Sequence, residues 1–428
     1  MEPRARAIPP RAGPPAGPPI GPLISAFAAG YLFSYLFRTA NAVISPELTD
    51  ELGLAPASLG LLTSVYLLAF GAMQLPVGML LDRFGPRRVE PLLLVLAGGG
   101  SLLFALSEGL PGLTLGRAII GAGVSVCLMA PLKGLAMWYP PARLPSLASW
   151  IMVAGGVGVL LATTPLEIAL RFTTWRALFV AFALTTFVVA LWQWWIIPDI
   201  PQPKSAAGVR AQWQGVRAVF RHPRFWWIAP LAGAGMGTFM SIQGLWAVPW
   251  MIEVEGVSRA SAAADLFIVG VFMVGGYLFY SLFATALGRR GLRPGHLFAI
   301  GFTTSALALA CITLGLPGRL LWWTLYGVGV TSNIMSFALL NEGFPAELTA
   351  RANTAVNLFM FIGSFIAQLG IGLVVDAARA LAGVDTATGL RYAFIIATLV
   401  NLVAVVWFHR GWKRFALDPS SRIASQRH

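Results

Sequence analysis

The apolar residues of this chain fall into twelve long blocks, approximately 23–45, 57–80, 90–107, 114–138, 147–169, 176–197, 225–251, 264–287, 296–316, 320–341, 352–375 and 390–409. A helix needs roughly 20 apolar residues to cross a bilayer, and these blocks supply that length repeatedly. A transmembrane β-barrel would show shorter segments of alternating polarity, which do not occur here. Charged residues make up 11% of the chain, against about 25% in soluble proteins, so a soluble multidomain enzyme is excluded. The expected fold is an all-α membrane protein with twelve transmembrane helices in two six-helix halves. Its surroundings are a lipid bilayer.

Most connections between blocks are short. The exception is 198–224, which divides the chain into an N-terminal half, 23–197, and a C-terminal half, 225–411, with tails at 1–22 and 412–428. Residues 1–22 are rich in Pro and Arg and read as a flexible tail rather than a cleaved leader. The net charge of +13 would suggest nucleic acid in a soluble protein. Here the positions of the charges explain it. With the N-terminus inside, 22 of the 30 Lys and Arg residues lie on the side of the tails and the central linker, 7 lie on the other side, and Arg38 lies within the first block. The positive-inside rule then places both termini in the cytoplasm, expected at a bacterial inner (plasma) membrane, with no role for nucleic acid. Cys127 and Cys311 sit inside apolar blocks, so no disulfide framework is expected. The four histidines lie in loops or tails, and no CxxC, HExxH or P-loop pattern occurs, so neither a metal nor another cofactor is expected.

The halves carry a repeat. The loop after the second block reads GMLLDRFGPRRV, 78–89, and the corresponding loop of the second half reads LGRRGLRP, 287–294, with Arg83 matching Arg289 and Gly85 matching Gly291. Duplicated halves are a mark of secondary transporters. At Gly78, Leu80, Asp82, Arg83, Gly85, Arg87 and Arg88 the chain resembles the major facilitator superfamily, whose loop motif has this order of residues. LGRAIIGAG, 115–123, is similar to the family's fourth-span motif through Arg117, Gly121 and Gly123. FPAELTARANTAVN, 344–357, is similar to the loop before its eleventh span. The resemblance runs from about residue 22 to 412. It implies alternating access, with Gly78, Asp82, Arg83, Gly85, Arg87, Arg88 and Arg117 acting as a conformational latch. The alternative for the arginines is a plain positive-inside loop. Gly288 stands where the second copy would need its Asp.

A charge within the hydrocarbon is costly and marks a functional candidate. Arg38 is the clearest, with Asn41 one turn on. The run YLFRTAN, 35–41, resembles the first span of organophosphate–phosphate antiporters and organic-anion symporters. That implies an arginine binding the substrate's anionic group, for which the guanidinium fork is suited. The competing reading pairs Arg38 structurally with Glu167. The family's cavity is lined by spans one, four, seven and ten, which brings in Lys133, Gln243, Trp246, Tyr326 and Asn333 as substrate-binding candidates. Lys133 could instead snorkel to the interface, and Trp246 and Tyr326 could belong to an aromatic belt. Asn353, Asn357 and Gln368 are read as ties between helices. Glu167 is the one carboxylate considered for proton coupling.

The expected function is a secondary active transporter for a small organic or inorganic anion, acting as a monomer, with a proton or a counter-anion as coupling partner. The alternative is an efflux pump for drugs or other amphiphiles. Against it, the fifth span, AGGVGVLLATTPLEIAL (154–170), lacks the Gly-Pro pair of the superfamily's drug–proton antiporters. No Asp or Glu lies deep in spans one, four, seven or ten. A membrane-embedded enzyme would need a clustered nucleophile, acid or metal set, and none is visible.

Overall fold

A computed structural model describes residues 19–139, 143–199, 214 and 217–416. The expected tails and most of the 198–224 linker lie outside the described residues. All regular elements among the described residues are helical. In chain order they are α1 (Ile20–Leu52), α2 (Pro56–Ala72), α3 (Gln74–Phe84), α4 (Pro86–Leu106), α5 (Leu110–Val124), α6 (Met129–Trp138), α7 (Leu144–Leu161), α8 (Thr164–Leu170) and α9 (Trp175–Ile196). The second set is α10 (Pro223–Ser241), a π-helical turn (Ile242–Trp246), α11 (Ala247–Glu253), α12 (Arg259–Arg289), α13 (Pro294–Thr313), α14 (Arg319–Val330), a 3₁₀ turn (Thr331–Asn333), α15 (Ile334–Asn341), α16 (Ala346–Ala382) and α17 (Thr386–Ala416).

Among the described residues, nine helices are long and apolar enough to cross a membrane, or ten if α2 and α3, bent by 47°, make one span. The count from sequence was twelve. The two further blocks, 225–251 and 320–341, do form helices, but a π turn breaks one and a 3₁₀ turn the other. Such breaks divide an apolar block without ending it. The helix ends also differ slightly from expectation, since α1 starts at Ile20 and α17 runs to Ala416.

Helices pack first within each half. In the N-terminal half α4 lies against α5 and α9, α1 against α7 and α9, and α2 against α5. In the C-terminal half α10 lies against α16 and α17, and α13 against α14 and α17. The halves meet where α2 packs on α16, α1 on the π turn and α11, and α12 on α7 and α8. Large apolar side chains point outward, among them Leu106 (74% exposed), Trp195 (73%) and Leu282 (70%). An outer surface of this kind is stable against lipid and not against water.

Small residues let the backbones approach. A Cβ on Gly121 of α5 would stand 2.2 Å from the carbonyl oxygen of Tyr66 in α2. In lipid the attraction between helices comes from such close packing rather than from hydrophobic burial. The matched loops share a second glycine requirement. Gly85 has φ 76° and Gly291 φ 92°, a region in which side chains are strained, so the two turns keep the same backbone device.

The face where α1 begins and α17 ends is called the terminal face below. Across the opposite face the halves are tied by polar bonds. The guanidinium of Arg259 in α12 grips both carboxylate oxygens of Glu47 in α1 and donates to the Val43 carbonyl at 2.7 Å. The amide of Ala57, at the start of α2, donates to Asp376 of α16 at 2.9 Å. Thr164 donates to the Ala263 carbonyl at 3.3 Å. Further toward the terminal face, Asn357 of α16 donates to Gln74 of α3 at 3.4 Å.

Gly121→Ala forces a methyl group into the Tyr66 carbonyl. It is expected to cost about 1–3 kcal/mol, as overpacking does. The check is thermal unfolding of the purified protein in detergent. The melting temperature should fall, and an unchanged value would contradict the packing role.

Candidate functional site

Arg38 sits about midway along the membrane-crossing part of α1, at the seam between the halves. Its guanidinium carbon lies 4.7 Å from the ring centre of Tyr35, 4.8 Å from Phe70 and 5.4 Å from Phe361. Phe361 belongs to α16, so both halves close on the cation. The rings of Phe70 and Phe361 are themselves 4.5 Å apart. Ring faces attract a cation electrostatically, each by about 0.5–2 kcal/mol according to how dry the site is. Tyrosine hydroxyls complete the surroundings. Tyr66 and Tyr31 lie in electrostatic contact with Arg38, and Tyr277 of α12 contacts both Arg38 and Tyr35 in the same way. Tyr66 donates to the Ser34 carbonyl at 3.1 Å, which fixes its ring. Arg38 Nε has no hydrogen-bond partner.

No carboxylate among the described residues pairs with Arg38. The structural pair with Glu167 does not form, because Glu167 lies on α8 and accepts from Arg171 at 3.0 Å. That bond neutralises Glu167 locally, one helical turn away in sequence.

Other candidates gather around Arg38 to differing degrees. Asn41, one turn further on α1, is fully buried, and neither its amide nitrogen nor its oxygen has a partner. Gly244, in the π turn, faces the backbone of Arg38, with the Arg38 carbonyl oxygen 3.9 Å from a Cβ built on it. Gln243, beside it, makes only a long contact of 3.5 Å with the Met273 sulfur. π turns occur mostly at functional sites. Trp246 is 2% exposed and donates to the Gln368 carbonyl at 3.0 Å, so it is a buried tie between helices rather than part of an aromatic belt. Tyr326 is also buried, with its ring edge-on to Phe239 at 5.2 Å and its hydroxyl without a partner. Asn333 lies in the 3₁₀ turn, where its amide nitrogen reaches the Met360 sulfur at 3.4 Å and its oxygen has no partner.

Two basic residues stand apart from this group. Lys133 bonds Asp82 at 2.5 Å and so belongs to the terminal face, not to the Arg38 site. Arg117 is 1% exposed, donates to the Phe37 carbonyl at 3.1 Å and stacks on the ring of Tyr66 at 4.7 Å. Arg117 is therefore a buried strut fixing α1 beside Arg38, away from the loop with which the sequence grouped it. Within that loop, Arg88 pairs with Asp199 at 2.9 Å, Arg83 stacks on the Phe84 ring at 5.1 Å and Arg87 is half-buried. Gly78 of α3 has open space where a Cβ would stand. The bond between Asp82 and Lys133 stays within the N-terminal half, and that of Arg88 runs to the linker at Asp199.

The sequence reading passed over several groups. Glu47 and Arg259 are 212 positions apart, and nothing local marks them as partners. The tyrosines around Arg38 read as ordinary apolar residues of their spans. Glu90 stood at the edge of the third block but is fully buried. On the opposite face, Glu255 accepts from the indoles of Trp250 at 2.9 Å and Trp323 at 3.2 Å. Burial pushes its carboxyl above the usual range, against the pull of these donors and of Arg319. Among the described residues, no group of three or more His, Cys, Asp or Glu could hold a metal ion.

The model of the Major Facilitator Superfamily matches residues 27–368, and the chain belongs to that family of transporters. It is 23% identical over 431 residues to the hexuronate transporter of Escherichia coli (strain K12), covering 91% of this chain and 93% of that one. It is likewise 23% identical over 408 residues to a probable L-galactonate transporter of the same strain, covering 85% and 86%. Among solved structures, it resembles a bacterial homolog of the human lysosomal transporter Spinster, with a TM-score of 0.73 at 17% identity, covering 95% of this chain and all of that one.

If Asp82 and Lys133 act together on the terminal face, Asp82→Asn and Lys133→Gln should each slow solute exchange in reconstituted vesicles while leaving the folded yield unchanged. The double variant should be no slower than the slower single, because both remove one interaction. Unchanged rates, or effects that add, would contradict the latch.

Proposed function

We propose that this chain is a secondary transporter for small organic monocarboxylates with a hydroxylated body, of the sugar-acid kind, working by alternating access. The single observation that carries the reading is Arg38, a cation at the seam of the two halves with aromatic rings and hydroxyls around it and no carboxylate partner. A cation in that position is costly until an anion arrives, so the site is built to be relieved by one. The charge count favours a single negative charge. Arg117 and Lys133 already have acceptors, in the Phe37 carbonyl and Asp82. Asn41, Gln243, Tyr326 and Asn333 offer neutral donors and acceptors for hydroxyl groups. The hexuronate transporter and the probable L-galactonate transporter, which this chain resembles, are named for acids of this class.

An efflux pump for cationic amphiphiles would need a carboxylate where Arg38 stands. The bonds of Arg259, Ala57 and Thr164 tie the halves together on the face opposite the termini. With the charge bias of the loops, the terminal face is cytoplasmic at an inner membrane. The protein works as a monomer. Coupling is to a proton or a counter-anion, and Glu167, bound to Arg171, does not serve for it.

Purified protein reconstituted into vesicles should exchange galacturonate or galactonate and not galactose. Arg38→Gln should lose about 2–5 kcal/mol of binding, on the order of 30-fold to several thousand-fold in Kd, while still folding. Arg38→Lys keeps the charge and loses the fork, so its affinity should fall by about tenfold. Normal exchange by Arg38→Gln would overturn the anion reading.

A further inference from the structure

Buried carboxylates among the described residues are few, and they differ in partner. Glu167 faces Arg171, and Asp265 faces Arg319 at 2.9 Å. Glu90 of α4 is fully buried and faces no cation. Its Oε1 accepts one bond, from the side-chain amide of Gln193 in α9, at 3.0 Å. Its Oε2 has no partner, and neither does Oε1 of Gln193. The same amide nitrogen also donates to the Ala26 carbonyl of α1 at 3.0 Å. A Cβ on Gly30 of α1 would stand 2.7 Å from Glu90 Oε1, so α1 lies directly over the carboxyl.

This environment suits a neutral acid. An ionised carboxylate taken out of water needs a cation or several donors, and here it has one shared amide. A protonated carboxyl is matched to a primary amide, since its O–H can donate to the amide oxygen while its other oxygen accepts from the N–H₂. The two unpartnered oxygens of Glu90 and Gln193 are the atoms that such a second bond would join. The groups facing Glu90 are Ala26 and Gly30 from α1, Gln193 from α9 and Cys127 from the turn between α5 and α6. Cys127 is the titratable one among them. Arg87, three residues earlier on α4, makes no ion pair with Glu90. Glu90 lies four residues, or about 6 Å of helix rise, inside Pro86 at the terminal face, which makes that face the shorter path for a proton.

We propose that Glu90 is a proton-binding site, filled from the terminal face, and that its proton and an anion at Arg38 bind cooperatively. The inference rests on the anion reading of Arg38. Gly30 and Arg38 are eight residues apart on α1, about 12 Å of rise. A second negative charge at that distance, at an effective dielectric of about 20, weakens anion binding by about tenfold. Ionisation also removes the reason for α1 to lie flat on the carboxyl, and α1 carries Arg38. Linkage makes the effect mutual, so binding of the anion draws a proton onto Glu90. Affinity for the anion therefore falls as the pH at the terminal face rises.

The test uses the purified full chain in detergent with galacturonate as probe. Proton uptake on adding galacturonate is followed with a pH-sensitive dye in weakly buffered solution, and Kd is measured across pH. The wild type should take up protons and lose about tenfold in affinity toward high pH. Glu90→Gln mimics the neutral acid, so it should bind as tightly at high pH as at low and take up none. The infrared carbonyl absorption of protonated carboxylic acids should lose one component in Glu90→Gln relative to the wild type. If Glu90→Gln does not fold, Glu90→Asp keeps the acid but withdraws it from Gln193, and its uptake should persist with a displaced pH dependence. A wild type without uptake, a Glu90→Gln profile matching the wild type, or a Glu90→Asp profile unmoved from it would each overturn the proton site. Those outcomes leave the anion reading intact as long as the wild type binds galacturonate, because that reading is tested separately by loss of galacturonate binding in Arg38→Gln.

Discussion

A guanidinium held at the seam between two helical halves, with rings in place of a counter-ion, is the constraint to which the rest of this structure answers. Hydrocarbon does not tolerate a bare cation, and a carboxylate partner would cancel its use. The rings of Tyr35, Phe70 and Phe361 give Arg38 partial compensation, which on the proposed reading an incoming anion exceeds. Since Phe361 and Tyr277 come from the C-terminal half, the contacts of Arg38 must change whenever the halves move. The cation is thereby tied to the conformational cycle without any long-range device. Arg117 supports this by fixing the α1 backbone at Phe37, one residue away.

The two faces of the molecule are held by different means. On the face opposite the termini, bonds cross between halves, from Arg259 to Glu47 and from Ala57 to Asp376. Near the terminal face, the bond of Asp82 remains inside the N-terminal half and that of Arg88 runs to the linker at Asp199. A carrier that rocks between two states must make and break contacts across the seam while keeping each half intact. Under the alternating access proposed above, the cross-half pairs are the ones that open, while bonds within the N-terminal half keep that half rigid. Individually such partly exposed pairs contribute little, about 0–1 kcal/mol, which suits bonds that are broken in every cycle.

Much of this was readable in the sequence, and the reasons are local. Span length and the loop glycines depend on composition or on one backbone angle, and Gly85 and Gly291 both show that angle. Arg38 was visible because one charge in an apolar run stands out. What could not be read are pairings between distant helices. Lys133 was open to a cavity role through the family resemblance and to snorkelling through its depth in the fourth block, and packing of α6 near α3 gave it to Asp82. Glu167 was offered to Arg38, and its own helix supplied Arg171 instead. Arg117 was assigned to the latch by motif, whereas its contacts are with α1 and Tyr66. Among the described residues nine or ten spans stand where the sequence has twelve blocks, because a π turn and a 3₁₀ turn interrupt two apolar blocks without changing their composition. Those interruptions place Gln243 and Asn333 in irregular backbone, which periodicity cannot show.

The most direct test of the central claim is a comparison of ligands that differ only in charge. Purified protein would be melted in the presence of galacturonate and, separately, of its methyl ester, which keeps the hydroxylated body and loses the carboxylate. A ligand bound only by the folded state raises the melting temperature in proportion to its affinity. The account predicts that the acid stabilises the protein with saturating dependence on concentration and that the ester does not. Equal stabilisation by both would show that Arg38 is not the anchor.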